Sequence, residues 1–99
     1  MVRVFVEHKT HDPEKLMDVI KELRNEAMKQ LGYITGETLV NFEDPTNILV
    51  ISTWQKAEDW DAWNNSENRH NITEKIKELL DEPYSVRLYH YSVVRQNRV

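Results

Sequence analysis

The stretch ILVISTW, residues 48–54, opens with four successive apolar residues and ends on a tryptophan. A continuous apolar run of this length is typical of a β-strand that is buried on both faces of its sheet. The preceding residues, EDPTN at 43–47, are typical of a turn, and YITGETLVNF at 33–42 is rich in β-branched and aromatic side chains. The two runs therefore predict a β-hairpin with a loop of about five residues.

The N-terminal third of the chain predicts a strand and then a helix. Residues 2–8 alternate along the chain, which is typical of a strand. The residues on one face of this strand are Val2, Val4, Val6 and His8. Asp12 followed by Pro13 is typical of a helix N-cap and first turn. Apolar residues then recur at helical spacing as far as Gly32, where we expect the helix to stop. The recurring positions are Leu16, Ile20, Leu23, Ala27 and Leu31.

Two helical pieces and a last strand are predicted after the hairpin. KAEDWDAWNNS, at 56–66, begins a short helix, and ENRHNITEKIKELL, at 67–80, continues it or restarts as a second piece. The apolar stripe of the second piece consists of Ile72, Ile76, Leu79 and Leu80. Pro83 ends this segment, and YSVRLYHYSVV, at 84–94, is typical of a strand.

The resulting order, β-α-β-β-α-β, is the split βαβ arrangement called ferredoxin-like. We therefore predict one α+β domain over residues 1–99, with a four-stranded antiparallel sheet and its helices on one face. The strand at 48–54 needs cover on both faces, and several aromatic or apolar residues are expected to point away from the helices. These residues are Phe5, Phe42, Tyr89, Tyr91 and Val93. Because no chain remains to cover this second face, we predict a homodimer through the sheet faces, a dimeric α+β barrel.

Composition disfavours several classes of function. The formal net charge of −4 argues against a nucleic-acid partner, because phosphate binding needs a concentrated basic patch. The basic cluster VVRQNRV, at 93–99, is expected to be a solvated end. There is no cysteine, so disulfides, a thiol nucleophile and a thiolate metal site are excluded. No pair of the four histidines has the i, i+4 spacing of a helical zinc site, so no metal site is predicted.

The N-terminal segment MVRVFVEHKT lacks the apolar stretch of a signal peptide. No run in the sequence approaches the roughly 18 apolar residues that a membrane span requires. We therefore expect a cytoplasmic protein without a membrane partner.

The residues around the three tryptophans resemble a known family. A strand ends in STW at 52–54, KAEDWDAW follows at 56–63, and NNSENRH follows at 64–70. The pattern joins Trp54 to Trp63 nine residues later, and then to Ser66 and the basic pair Arg69-His70. On a 99-residue β-α-β-β-α-β chain, this pattern resembles the antibiotic biosynthesis monooxygenase domain family. The resemblance implies a dimeric α+β barrel in which each subunit has its own pocket between sheet and helices.

The resemblance implies one of several chemistries. One branch of the family oxygenates aromatic polyketides without a cofactor, another degrades heme, and a third acts on small signalling sugars or quinols. The heme-degrading branch uses an asparagine on the first strand, a helix tryptophan and a histidine ten residues later. On this sequence those places fall on His8, Trp63 and Thr73, and threonine is not a usual heme ligand. We therefore expect no heme, and no flavin or other cofactor.

His8 and Trp63 are the candidate catalytic residues. His8 continues the apolar face of the first strand to the expected mouth of the pocket, where a histidine can serve as a general base. Trp63 falls at the family's pocket position, which implies that its indole forms a wall of the pocket. We expect Trp63, rather than Trp60 or Trp54, to face this pocket.

Trp60, His90 and His70 are the candidate substrate-binding residues. Trp60 shares a helix face with Trp63, three residues later. His90 has the parity of the apolar residues on the last strand, so we expect it to face the helices. His70 points to solvent if its helix is continuous, and it reaches the pocket if the helix breaks near Asn71.

Two functions from different classes follow. The first is a cofactor-independent monooxygenase-like enzyme, in which a small aromatic or quinol supplies the electrons and the protein supplies enclosure and a proton acceptor. The second is a non-catalytic dimeric barrel that binds a small ligand or is associated with stress, where the tryptophans only clamp a helix to the sheet. An open pocket that holds His8 or His90 beside Trp63 would favour the enzyme. An occluded pocket without a titratable group would favour the second function.

Overall fold

The computed structural model describes residues 1–92. In chain order the elements are β1 (Val2–Lys9), α1 (Pro13–Ala27), β2 (Tyr33–Val40), β3 (Asn47–Trp54), α2 (Ala57–Asn64), α3 (Glu67–Lys77) and β4 (Ser85–His90). The four strands form one antiparallel sheet in the order β2-β3-β1-β4. The predicted α+β ferredoxin-like fold is therefore confirmed, with the second helical segment divided into two helices.

One face of the sheet carries the core. The predicted inward face of β1 is buried along its whole length, from Val2 to His8. In the β1–β3 register, Val2 lies opposite Trp54 and His8 lies opposite Ile48, so β3 contributes its residues to the same face. Ile20 of α1 and Ile76 of α3 pack against Ile48 in a single cluster. Each fully buried aliphatic side chain of this kind contributes about 1.5–3 kcal/mol, which holds both helices on the sheet.

Helix α1 begins as predicted and ends earlier than predicted. The carboxylate of Asp12 accepts the N–H of Lys15 at 3.2 Å, and Pro13 opens the first turn. The helix stops at Ala27 because the backbone N–H groups that follow Met28 bond three residues back instead of four. Leu31 is 86% exposed, so its predicted place on the buried stripe is wrong. Gly32 instead adopts φ +85° in the turn that leads into β2.

Ser66 separates the two helices that follow the hairpin. Its hydroxyl donates to the carbonyl oxygen of Trp63 at 2.7 Å and accepts the N–H of Arg69 at 3.1 Å. The same side chain thus closes the end of α2 and caps the start of α3. Trp63 and Arg69 are therefore held close together at the two ends of this short connection.

Within residues 1–92, no helix lies on the second face of the sheet. Phe5 and Tyr89 meet there edge to face with ring centroids 5.2 Å apart, and Tyr89 is 55% exposed. Leu39 is also exposed on this face. Phe42 lies in the turn between β2 and β3 and is fully exposed. Val93 lies outside the described residues.

Strand β4 is an edge strand that pairs with β1, and all of its residues from Ser85 to His90 are exposed. The strand predicted at 84–94 is therefore shorter over its described part, and its last two residues lie outside residues 1–92, as does the basic cluster at 93–99. Over the described length, none of the helices has both the length and the apolar character that crossing a membrane requires.

Candidate functional site

A cavity of about 40 Å³ lies between the sheet and the three helices. This volume is enough for a few water molecules. The lining is largely apolar and aromatic, and none of the aspartate or glutamate side chains in residues 1–92 contributes to it. Its aromatic and basic side chains include His8, Trp54, Trp60, Trp63, Arg69 and Tyr84. The cavity therefore combines flat apolar walls with positively charged or basic groups.

His8 supplies the imidazole of the cavity. The side chain is 2% exposed, and its Nδ1 lies 3.1 Å from the carbonyl oxygen of Ile48. Because a carbonyl oxygen only accepts hydrogen bonds, Nδ1 carries the proton of the neutral ring and Nε2 holds the lone pair. The ring of Tyr84 packs beside the imidazole, with centroids 5.7 Å apart.

Burial lowers the pKa of His8 below its ordinary value of 6.5. The hydrogen bond to the Ile48 carbonyl opposes this shift, and the charge of Arg69 lowers the pKa further. Glu7 has a smaller opposing effect on the pKa. The imidazole is therefore neutral at neutral pH, in the protonation state that can accept a proton at Nε2.

All three tryptophans line the cavity, and each of them is buried. The rings of Trp54 and Trp60 meet at 65°, with centroids 5.9 Å apart, and the indole N–H of Trp54 donates to the Ser52 hydroxyl at 2.9 Å. Trp63 lies at the cavity as expected, but the expectation that Trp60 and Trp54 would not do so is wrong. Trp60 and Trp63 share the sheet-facing side of α2, and Trp54 ends β3 on the helix-covered face of the sheet.

Arg69 brings a buried positive charge to the cavity. The residue is 4% exposed, and its guanidinium carbon lies 5.1 Å from the ring centroid of Trp60. Among residues 1–92, its Nε has no hydrogen-bond partner, and no ion pair includes this residue. A cation–π contact contributes about 0.5–2 kcal/mol, whereas burial of an ion costs several kcal/mol. The contact with Trp60 therefore does not offset the burial of this charge.

Arg24 also lines the cavity, but other side chains engage its guanidinium. It donates to the Thr38 hydroxyl and lies beside the Tyr33 hydroxyl. Burial raises the pKa of Tyr33, and Arg24 opposes that shift. At Gly36 a Cβ atom would stand 2.5 Å from the Tyr33 hydroxyl and 3.3 Å from Arg24 Nε, so glycine lets both groups approach β2. The guanidinium of Arg24 therefore has hydrogen-bond partners on β2, whereas the Nε of Arg69 has none among the described residues.

The structure does not bring His70 or His90 to the cavity. The side chain of His70 is 63% exposed on a continuous α3, with its Nε2 3.7 Å from the Glu74 carboxylate. Of the two orientations considered for His70, the solvent-facing one is observed. His90 lies opposite Val2 in the sheet, but it is exposed because the helices do not extend over the edge strand β4. The expectation that His90 faces the helices is therefore wrong.

Arg69 was not among the predicted site residues, although the sequence contains a signal for it. Arg69, Ile72, Thr73 and Ile76 are the buried residues of α3, and their spacing is that of one helix face. An arginine three residues before Ile72 lies on the same helix face as the apolar stripe, which is the signal in the sequence for its burial. Within residues 1–92, no three side chains of the histidine, aspartate or glutamate type come together as a metal site would require.

Comparison with known proteins assigns the family. Residues 1–75 match the model of the antibiotic biosynthesis monooxygenase family. The chain belongs to this family. The resemblance drawn from the tryptophan segment is thus confirmed for the antibiotic biosynthesis monooxygenase domain, and the matched residues include β1, all three tryptophans and most of α3.

Among curated relatives, the chain is 27% identical over 97 residues to the 42.8 kDa protein in the whiE locus of Streptomyces coelicolor. That alignment covers 96% of this chain and 24% of the relative, so the chain spans about a quarter of the relative's length. Solved structures share the fold at lower identity. A conserved protein from Methanosarcina mazei Go1 has a TM-score of 0.85 at 20% identity, covering 92% of both chains. SnoaB of Streptomyces nogalater, a cofactor-independent oxygenase, has a TM-score of 0.86 at 11% identity, covering 96% of both chains.

Proposed function

We propose that this protein is a cofactor-independent monooxygenase that acts on a small electron-rich phenol or quinol in the cavity beside His8. The observation that carries the proposal is the buried, neutral imidazole of His8, whose Nε2 can accept a proton among aromatic walls. Membership of the antibiotic biosynthesis monooxygenase family supports this function. The fold shared with SnoaB supports a reaction without a cofactor.

Proton transfer is the step that the side chains of this cavity can catalyse. A quinol hydroxyl gives its proton to Nε2 of His8, and the electron pair of the O–H bond stays on the ring oxygen. The resulting quinolate donates electrons to O₂ more readily than the quinol does. In the balanced reaction, one quinol and one O₂ give one hydroxyquinone and one water, so the substrate supplies all of the electrons.

The tryptophans supply enclosure and orientation for a flat ring. Trp60 and Trp63 present indole surfaces on which an aromatic substrate can stack. The cavity of about 40 Å³ is smaller than the roughly 150 Å³ of an apolar cavity that holds benzene. Substrate entry therefore requires that side chains lining the cavity move, and the partly exposed Tyr33 and Tyr84 are the candidates.

Heme does not suit this cavity. The resemblance puts Thr73 at the place of the histidine ligand of the heme-degrading branch, and the Thr73 hydroxyl donates to the backbone carbonyl of His70 at 3.1 Å within α3. A heme would also need much more space than the side chains leave. We therefore propose chemistry without heme.

The proposal includes a single domain and a homodimer joined through the open faces of two sheets. The exposed Tyr89 and Leu39 on the open face support this arrangement, because a second sheet would remove them from water. Light scattering should give twice the 11.9 kDa chain mass. Tyr89→Glu should yield monomers, whereas Leu31→Glu, which alters an exposed apolar residue beyond the end of α1, should not.

The enzymatic proposal is tested with ¹⁸O₂ and a panel of one-ring and two-ring quinols, after the protein has been treated with a chelator and freed of flavin. The expected product contains one labelled oxygen atom attached to a ring carbon, and the other labelled atom leaves as water. His8→Gln should lower turnover by about 100-fold or more, because general base catalysis contributes 10²–10⁴-fold. Saturable quinol binding without oxygen uptake would instead assign the protein to the non-catalytic, ligand-binding class.

A further inference from the structure

We propose that Arg69 binds an oxyanion carried by an aromatic ligand, so that the substrate of this protein is an arene with a carboxylate or phenolate oxygen. This inference rests on the proposed function, in that it takes the same cavity as the substrate site. It extends that function by naming the charge of the substrate and the residue that recognises it.

Arg69 is a buried cation. A guanidinium stays protonated in proteins, so burial leaves a full positive charge inside the fold. The residue is only 4% exposed, and its Nε lacks a hydrogen-bond partner in the part of the chain that the structure describes. Buried polar atoms normally have partners, and an arginine is suited to carboxylate and phenolate oxygens because its donors form a planar fork. A ligand oxyanion is the partner that this donor set fits.

The ionisable groups around the cavity differ in charge from the protein as a whole. The chain has a net charge of −4, yet the ionisable groups that line the cavity are His8, Arg24, Tyr33, Arg69 and Tyr84. Basic groups therefore line this cavity although the protein is acidic, and none of the described carboxylates lines it. Arg24 is engaged by Thr38 and Tyr33, which leaves Arg69 as the cation that can receive a ligand.

An aromatic ring, that of Trp60, lies beside the charge of Arg69. The guanidinium carbon of Arg69 lies over the Trp60 ring, 5.1 Å from its centroid, which places the donors of this side chain next to an indole wall. A flat ring that packs against Trp63 or Trp60 can direct an attached oxyanion toward these donors. The site therefore favours an oxyanion attached to an arene over a small free anion such as acetate.

The test measures binding by titration calorimetry under nitrogen, so that turnover cannot interfere. The probes are 4-hydroxybenzoate and its neutral counterpart 4-hydroxybenzamide at neutral pH, with acetate as the anion that lacks a ring. The natural protein should bind the benzoate at least about 10-fold more tightly than the benzamide or acetate, in line with hydrogen bonds to charged groups. A phenolate source is tested with 4-cyanophenol, whose affinity should rise as its hydroxyl ionises.

Three variants separate recognition from structure. Arg69→Met should remove the preference for the charged probe, lowering its affinity by about 10- to 100-fold, and should leave the benzamide affinity nearly unchanged. Arg69→Lys keeps a charge but not the planar fork, and it should retain part of the preference. Lys75→Met removes an exposed cation of the same helix that pairs with Glu22, and it should change neither affinity.

Equal losses for the charged and neutral probes in Arg69→Met would overturn the proposal and assign Arg69 a packing role against Trp60. Absence of binding, or of a preference for the charged form, with both 4-hydroxybenzoate and 4-cyanophenol would also overturn it. An Arg69-dependent preference in a protein that consumes no oxygen with any quinol would support this inference and refute the oxygenase. Oxygenation of neutral quinols that is unaffected by Arg69→Met would support the oxygenase and refute this inference.

Discussion

Acidification should destabilise the folded protein through His8. In the unfolded chain this histidine has its ordinary pKa of 6.5, and in the folded protein burial lowers that pKa. Between the two pKa values the unfolded state binds more protons, so the free energy of unfolding rises with pH across this window and falls as the pH decreases below 6.5. One titrating group limits the slope to about 1.4 kcal/mol per pH unit.

The matched variant is His8→Gln, whose amide can still donate to the Ile48 carbonyl but does not titrate. Urea unfolding is followed by tryptophan fluorescence for both proteins between about pH 5 and pH 8. The protein concentration is kept fixed, because the stability of a dimer depends on it. His11, His70 and His90 are present in both proteins, so their effects cancel in the difference. The wild-type free energy minus that of the variant should be constant above pH 6.5 and should decrease below it. A difference that is flat, or that increases on acidification, would refute the assignment of His8 as a buried neutral base.

Three further experiments have defined outcomes. Trp63→Phe should weaken quinol binding with little loss of stability, whereas Trp54→Ala should cost about 3–5 kcal/mol in urea unfolding; unfolding by Trp63→Phe, with no quenching of fluorescence by any ligand, would make the tryptophan cluster a structural clamp. Titration with hemin should give no saturable Soret band, because Thr73 replaces the ligand of the heme-degrading branch, and a sharp band at one heme per chain would contradict this. Gly32→Ala should lower the free energy of unfolding by about 1–3 kcal/mol, because the position has φ +85° and the added Cβ would stand 2.1 Å from an Asp59 carboxylate oxygen; urea unfolding with an unchanged midpoint would contradict it.

The fold was predictable because its elements have strong periodic patterns. The period-two pattern from Val2 to His8 and the helical stripe through Leu16 and Ile20 both correspond to buried faces. The Asp12 cap and Pro13 at the start of α1 were predictable as well, because helix capping depends on residues that are close in sequence. The end of α1 was not, because Leu31 continues the helical spacing while the chain has already turned toward β2.

The site was predictable only where one strand or one helix determines orientation. His8 follows from the parity of β1, and Trp63 follows from the resemblance to the family, which puts it at the pocket position. His90 has the right parity but lies on an edge strand, and the reach of the helices over the sheet is a tertiary property. The burial of Arg69 does not follow from its place on the stripe alone, because a long charged side chain usually extends to solvent, and here the connection formed by Ser66 also sets its position.

The central claim is that neutral His8 accepts the proton that makes the substrate reactive toward oxygen. The measurement that tests it most directly is the pH dependence of kcat/KM for quinol oxygenation by the wild-type protein and by His8→Gln. Because burial lowers the pKa of His8, the wild-type rate should be constant around neutral pH and should fall on acidification with a midpoint below 6.5. In His8→Gln this acid limb should be absent and the rate about 100-fold or more lower. A variant that keeps the wild-type rate and the same acid limb would contradict the claim.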